Sequence, residues 1–341
     1  MNSKKNIWSD LPASTGIATL VCYAGVFNDV IGVEELAAKL GVSGQDAFYS
    51  ALNEMRLQGR IVLQDGFVGL PDFEERIAVK NSKIATTKQL IGSRLKILNK
   101  IGRNPLIKFV GISGSLAADN PTKDQNNQVD IDVFLVTRNQ CVWLYNILRG
   151  LRNLFPRRRQ EPELCVNYVV DESNLMIPNR NFYTATEIRN LIPISGFDAH
   201  RKFLQANNWV NYYYPGTAGT FEAVAVMTAN GLLNKIFYFS YTLLASIKWL
   251  NVKRLRNMSF RTDSRRHISV NVLGPHYGGY QALVQKKFSR LARTWFPELL
   301  NTGLIEKLFP DELSAEIRKG SIDVDKIIVE AGMGYDYSKY A

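Results

Sequence analysis

Two aspartates, Asp130 and Asp132, lie one residue apart in the apolar run from Val129 to Val136. A β-strand alternates its side chains between faces. This spacing therefore puts both carboxylates on one side, roughly 6.6 Å apart along the backbone, with Ile131, Val133 and Leu135 directed into a core. Two adjacent carboxylates on a mostly buried strand repel each other and resist losing water. A hard divalent cation relieves both costs, because Mg²⁺, or Mn²⁺ in its place, takes oxygen ligands and keeps positions open for substrate phosphates. Paired ions of that kind activate an attacking hydroxyl and steady a leaving pyrophosphate. The bland alternative is a strand end carrying two solvated acids.

Upstream, Ile112-Ser113-Gly114-Ser115-Leu116 follows an apolar strand and opens a helix. Such a turn directs backbone N–H groups and a hydroxyl outward at a positive helix end, a seat for phosphate oxygens. Gly114 and Ser115 are the expected nucleotide-binding residues. A Gly-Ser turn by itself is a common feature; its weight comes from the aspartate pair that follows.

Strand, Gly114-Ser115, helix, then Asp130-x-Asp132 on the next strand resembles the signature of the polymerase β nucleotidyltransferase superfamily, over roughly residues 106–171. The resemblance implies a triphosphate held by the Gly-Ser turn and Mg²⁺ held by Asp130 and Asp132. It also implies transfer of a nucleotidyl group with release of pyrophosphate. Family members usually carry a third acid on a neighbouring strand. Here the matching position is Asn167, assigned to orient the acceptor, and Glu163 shares its face.

A formal charge of +11 and a pI near 9.5 favour polyanionic partners. Arg149, Arg152, Arg157, Arg158 and Arg159 precede the third strand, and Arg157 and Arg158 are assigned to the nucleotide. Further basic clusters are Lys253, Arg254 and Arg256, then Arg261, Arg265 and Arg266; together these predict a groove for a nucleotide or a single strand. The aromatic run from Trp209 to Tyr214 has the composition of a base-stacking platform, but core packing is the expected use. The last residues carry Tyr335, Tyr337 and Tyr340 among glycines. A tyrosine on a mobile tail can reach an active site and attack a phosphate if a base or metal assists it.

A winged-helix-like start, the Gly-Ser and Asp-x-Asp pair, and a tyrosine-bearing C-terminus are similar to the nucleotidyltransferases of Hailong-type antiphage defence. That resemblance implies template-independent synthesis of short single-stranded DNA from deoxynucleotides, primed on a C-terminal tyrosine, with Tyr337 and Tyr340 as candidates. It also implies a membrane effector protein as the partner that the oligomer controls.

The elements that must position these groups follow from periodicity. Helices are expected over 14–26, 33–40 and 45–58, and Phe48, Ala51, Leu52 and Met55 make one apolar face of the third. An Asp65-Gly66 hairpin follows, and the whole resembles a winged helix. The outward residues Asp46, Tyr49, Asn53, Glu54 and Arg56 are nearly neutral in sum, so packing or partner binding is expected there rather than duplex binding. A long helix over 73–103 carries Ile77, Ile84, Ile91 and Leu98 as a buried stripe with Leu95 beside it. Strands are expected over 106–112, 129–137 and 164–170, with helices around Leu116 and over 142–154, and 181–330 reads as mostly helical. The expected fold class is α+β: a winged-helix-like unit at 1–72, a polymerase β-like nucleotidyltransferase mixed sheet at 73–180, a helical region at 181–330 and a tail at 331–341.

Cys22, Cys141 and Cys165 form no CxxC, and His200, His267 and His276 lack ligand spacing, so a reducing cytoplasm is expected. The N-terminal residues hold no apolar stretch suited to a signal peptide, and Ile236–Ile247 is too short to span a bilayer and reads as a buried helix. The chain is thus expected to be a nucleotidyltransferase that takes a nucleoside or deoxynucleoside triphosphate and does not itself cross a membrane. Transfer to RNA, a small molecule or a protein are the neighbouring alternatives. A DNA-binding regulator with a degenerate catalytic domain, or a nucleotide-binding scaffold, is the reading from another class.

Overall fold

The computed structural model describes residues 5–42, 44–122, 129–153, 164–217, 232, 235–236, 239–240, 267–269, 272–274 and 277–310. The chain begins with α1 (Ala13–Val26), β1 (Ile31–Gly32), α2 (Val33–Leu40) and α3 (Asp46–Leu57), then β2 (Val62–Gln64) and β3 (Phe67–Gly69). The three short strands form a sheet in the order β1-β3-β2. Asp65 and Gly66 both take positive φ, as the tight turn between β2 and β3 requires. Phe48, Leu52 and Met55 are buried, whereas Asp46, Tyr49, Asn53, Glu54 and Arg56 face outward.

Next comes α4 (Glu74–Gly102), which leads into β4 (Ile107–Ile112), α5 (Gly114–Ala117), β5 (Ile131–Thr137), α6 (Val142–Asn153) and β6 (Leu164–Asp171). After these lie α7 (Phe182–Asn190), β7 (Ile192–Ser195), α8 (Phe197–Ala206), β8 (His267–Ser269), β9 (Val272–Gly274), α9 (Tyr277–Trp295) and α10 (Leu304–Leu308). The larger sheet is six-stranded in the order β7-β4-β5-β6-β9-β8, parallel between β5 and β6 and antiparallel elsewhere.

The described residues after 180 are mostly helical, as expected, but three short strands among them were not. β7 pairs with β4 at one edge, and β8 and β9 extend the other edge beyond β6. These three strands are three or four residues long, and β7 contains Pro193, so none shows the alternating run that marks a strand locally. An edge position tolerates the proline's missing N–H.

Two cores result. Ile131, Val133 and Leu135 pack with Val110, Ile112, Leu98 and Trp143 on one side of the sheet. Phe134, Val136, Tyr168 and Val170 join the other side, where α1, α2, α3, α9 and α10 bury their apolar residues in one continuous cluster. The N-terminal unit therefore lies over the face of the sheet to which Asp130 and Asp132 belong by alternation.

The stripe on α4 holds only at its ends. Ile77 and Leu98 are buried, Ile84 and Ile91 are half-buried, and Leu95 is exposed, a correction to the sequence reading. α4 packs against β2 and β3 and, separately, against β4 and β7, so no single neighbour covers the whole row. Lys80 and Thr87 are buried there instead. In the aromatic run after α8, Tyr213 and Tyr214 are core residues and Tyr212 is exposed, as the packing reading expects for most of the run. Ile236 and Phe239 are exposed, against the expectation of a buried helix, and the rest of that apolar run lies outside the described residues. No helix among the described residues is long and apolar enough to cross a membrane.

One buried ion pair fastens the two halves. Lys80 Nζ donates to Asp29 Oδ2 at 2.6 Å and to the Asp119 carbonyl at 3.1 Å. Burial pushes the Asp29 carboxyl up, and the charge of Lys80 opposes that shift. Removing one partner leaves the other charge buried and alone, so Lys80→Ala should cost about 3–5 kcal/mol, whereas Lys80→Met with Asp29→Leu should recover most of the loss. Urea unfolding monitored by circular dichroism measures both.

Candidate functional site

The strand register builds the site. The N–H of Ser113 donates to the Asp132 carbonyl at 2.9 Å, which carries the β4–β5 pairing one step past Ile112↔Val133. The chain then turns at Gly114, whose φ of +66° is open to glycine at no steric cost. A Cβ on Gly114 would lie 2.3 Å from Asp132 Oδ2. The turn thus packs its backbone directly against the Asp132 carboxylate, and a side chain at 114 would push that carboxylate away.

Asp130 precedes the first residue of β5 and Asp132 is its second residue. Both line one cavity of about 500 Å³ together with Ser113, Gly114 and Ser115. Asp132 pairs with Cys165 on the parallel strand β6, and the Cys165 side chain hydrogen-bonds its carboxylate. The register then slips, so that Val133 opposes Val166 and Phe134 opposes Tyr168. Asn167 is the extra residue of this bulge and lines the same cavity. The residue directly beside Asp132 is Cys165, and Asn167, the position matched to the third acid, lies two residues further along β6.

The helix after the turn is a single turn, Gly114–Ala117. The sequence reading invoked a positive helix end, but the dipole of four residues is small. The donors available to an anion here are the N–H groups and hydroxyls of the turn itself. Ser113 Oγ is buried, lines the cavity and has no hydrogen-bond partner.

Glu187, on α7, was not singled out in the sequence. Its carboxylate accepts the Gly114 N–H and lies near enough to Asp132 to feel its charge. Nothing in Phe182–Asn190 read alone marks it, because the contact joins residues far apart in the chain. Burial is the main cause that raises Asp132 to about 6, followed by the charge of Asp130. Burial likewise raises Glu187 to about 7, followed by the charge of Asp132. Three acids thus crowd one poorly hydrated space.

Cations reach the cavity as well. Lys39, Lys80 and Lys287 line it. Lys287 is lowered to about 8 by burial and then by Arg290. Of the expected groups, Asp130, Asp132, Asn167, Gly114 and Ser115 converge on this cavity. Arg157, Arg158, Glu163, Tyr337 and Tyr340, and the basic clusters at 253–256 and 261–266, lie outside the described residues.

Among the described residues no three His, Cys, Asp or Glu side chains group as a complete metal cage. Two neighbouring carboxylates, beside donors suited to phosphate, form an oxygen donor set that a divalent cation completes through substrate oxygens and water. The residues present fit such an ion, with Asp130 and Asp132 as its holders.

A search of protein-family models, of curated proteins and of solved structures gave no match to this chain.

The pH dependence has a definite sign. A carboxyl whose folded pKa lies above its unfolded value disfavours the fold once it ionises, so metal-free stability falls as pH rises from about 4 to about 7. Asp132→Asn should flatten that fall and raise stability at pH 8 by up to about 3 kcal/mol. Denaturant midpoints at pH 5 and pH 8 measure it; an unchanged slope with pH would refute the crowding. Glu187→Gln removes an anion from the Gly114 N–H, so tripolyphosphate should bind severalfold tighter at pH 8 by titration calorimetry.

Proposed function

We propose that the chain is a divalent-metal-dependent nucleotidyltransferase of the polymerase β type, transferring a nucleotidyl group from a nucleoside or deoxynucleoside triphosphate to a hydroxyl. The observation that carries this reading is the contact of the Gly114 backbone with the Asp132 carboxylate inside a cavity shared with Asp130. A phosphate seat and a metal-holding acid pair are useful together only when the ligand is a polyphosphate.

In this reading the Gly114 N–H and the hydroxyls of Ser113 and Ser115 hold phosphate oxygens. Asp130 and Asp132 hold the divalent cation, which supplies charge neutralisation and activation of the attacking oxygen when bound. Asn167 orients the acceptor from the β6 bulge. Glu187 occupies the Gly114 N–H until a phosphate displaces it, which keeps that donor satisfied in the empty cavity. Lys80 and Lys287 balance the charge of the polyphosphate.

The order α1-β1-α2-α3-β2-β3 with its β1-β3-β2 sheet supports a winged-helix assignment for the N-terminal unit. Template-independent DNA synthesis primed on Tyr337 or Tyr340 in antiphage defence, in the cytoplasm and with a membrane effector as partner, is the narrower proposal. It rests on resemblance alone. Cys165 opposite Asp132 and Asn167 in place of an acid favour one second reading, a nucleotide-binding regulator without turnover.

Incubation of the full chain with each labelled (d)NTP and Mg²⁺ separates these. Pyrophosphate release by the native protein, lost by at least about a hundredfold in Asp130→Ala/Asp132→Ala, supports the enzyme. Gly114→Ala should lose about a hundredfold as well, since it displaces Asp132. Equal release by the native and double-substituted proteins rejects the metal role, and metal-dependent binding without release supports the regulator.

A further inference from the structure

Two chemically different sets of residues line the cavity: Ser113, Gly114, Ser115, Asp130 and Asp132, and Tyr23, Phe27, Ile31 and Phe67 from the N-terminal unit. We propose that this unit is the nucleobase-binding wall of the cavity, with the base lying against Phe27 and Phe67 while the phosphates occupy the turn at 113–115. The proposal rests on the nucleotidyltransferase reading and assigns the N-terminal unit to substrate selection rather than to duplex binding.

Three observations support it. First, the two sets are joined through a single residue. The Asn120 N–H donates to the Ser115 carbonyl at 2.9 Å, and Asn120 Nδ2 donates to the Phe27 carbonyl at 2.9 Å. The backbone of Phe27 is thus one asparagine away from the turn at 113–115.

Second, that spacing is fixed. Lys83 Nζ donates to Asn120 Oδ1 at 2.7 Å, and Lys80 ties Asp29 to the Asp119 carbonyl. A buried, directional network of this kind contributes register more than stability. It holds the loop after α1 against the turn after α5.

Third, the wall has the right surface. Phe27 and Phe67 are half-buried, Ile31 is buried, and Tyr23 packs edge-on against Phe27 with ring centroids 5.3 Å apart. An aromatic wall accepts any base by stacking. The buried Ser113 hydroxyl, which lines the same cavity, has no partner among the described residues, as expected where a ligand completes it. The outward face of α3, by contrast, carries no surplus of positive charge for a duplex.

Photolabelling of the full-length protein with 8-azido-ATP and 5-azido-UTP, in the presence of Mg²⁺, tests the placement without requiring turnover. Label is expected in peptides covering 20–35 or 67, and unlabelled triphosphate should compete it away. Phe27→Leu and Phe67→Ala should each raise KM about tenfold, with little change in kcat and with tripolyphosphate binding unchanged. Phe27→Leu keeps apolar bulk, so it guards against a simple folding loss. Turnover with label confined to α7 or α9, or with KM unmoved in both variants, overturns the wall and leaves the enzymatic reading intact. Neither turnover nor competed label overturns both.

Discussion

The structure depends on keeping carboxylates close together where water is scarce. Asp132 has a glycine backbone on one side, a cysteine thiol on the next strand and the charge of Asp130 beside it. Asp132 gains nothing from this arrangement in the isolated chain, since burial and the charge of Asp130 hold it nearer its neutral form than it would be in water. Sites that crowd like charges in this way give up stability for a ligand that repays it on binding. The ligand proposed above matches what lines the cavity beside the acids: backbone and hydroxyl donors at 113–115, three lysines, and aromatic residues of the N-terminal unit.

The rest of the fold serves this crowding. β5 needs partners on both sides to hold the alternation that sends Ile131, Val133 and Leu135 to one core and the aspartates to the other face. The N-terminal unit then covers that face, and the network of Asp29, Lys80, Lys83 and Asn120 stops it from sliding. α7 completes the enclosure by bringing Glu187 to the Gly114 N–H. Enclosure and charge crowding have one origin, because a cavity closed by packed helices is also one with little water to solvate an anion.

Much of this was legible in the residues. The period of two along Val129–Val136 placed both acids on one face, and the helix bounds of Val33–Leu40 follow from Gly32 before and Gly41 after. What escaped was non-local. The short strands β7, β8 and β9 acquire their conformation from the edges they join, not from their own patterns. The bulge on β6 at Asn167 depends on its pairing with β5 and has no mark in the strand's own sequence. Glu187 was not marked, because its contact with Gly114 joins residues far apart in the chain, and Leu95, beside the seven-residue row and not in it, is exposed.

The most direct measurement is the electron paramagnetic resonance of Mn²⁺ titrated into the full chain, with and without a non-hydrolysable triphosphate. The account expects weak binding to the protein alone, strong binding once the triphosphate is added, and loss of that enhancement in Asp130→Ala/Asp132→Ala. Equal Mn²⁺ binding by the native and doubly substituted proteins in the presence of the triphosphate would contradict it.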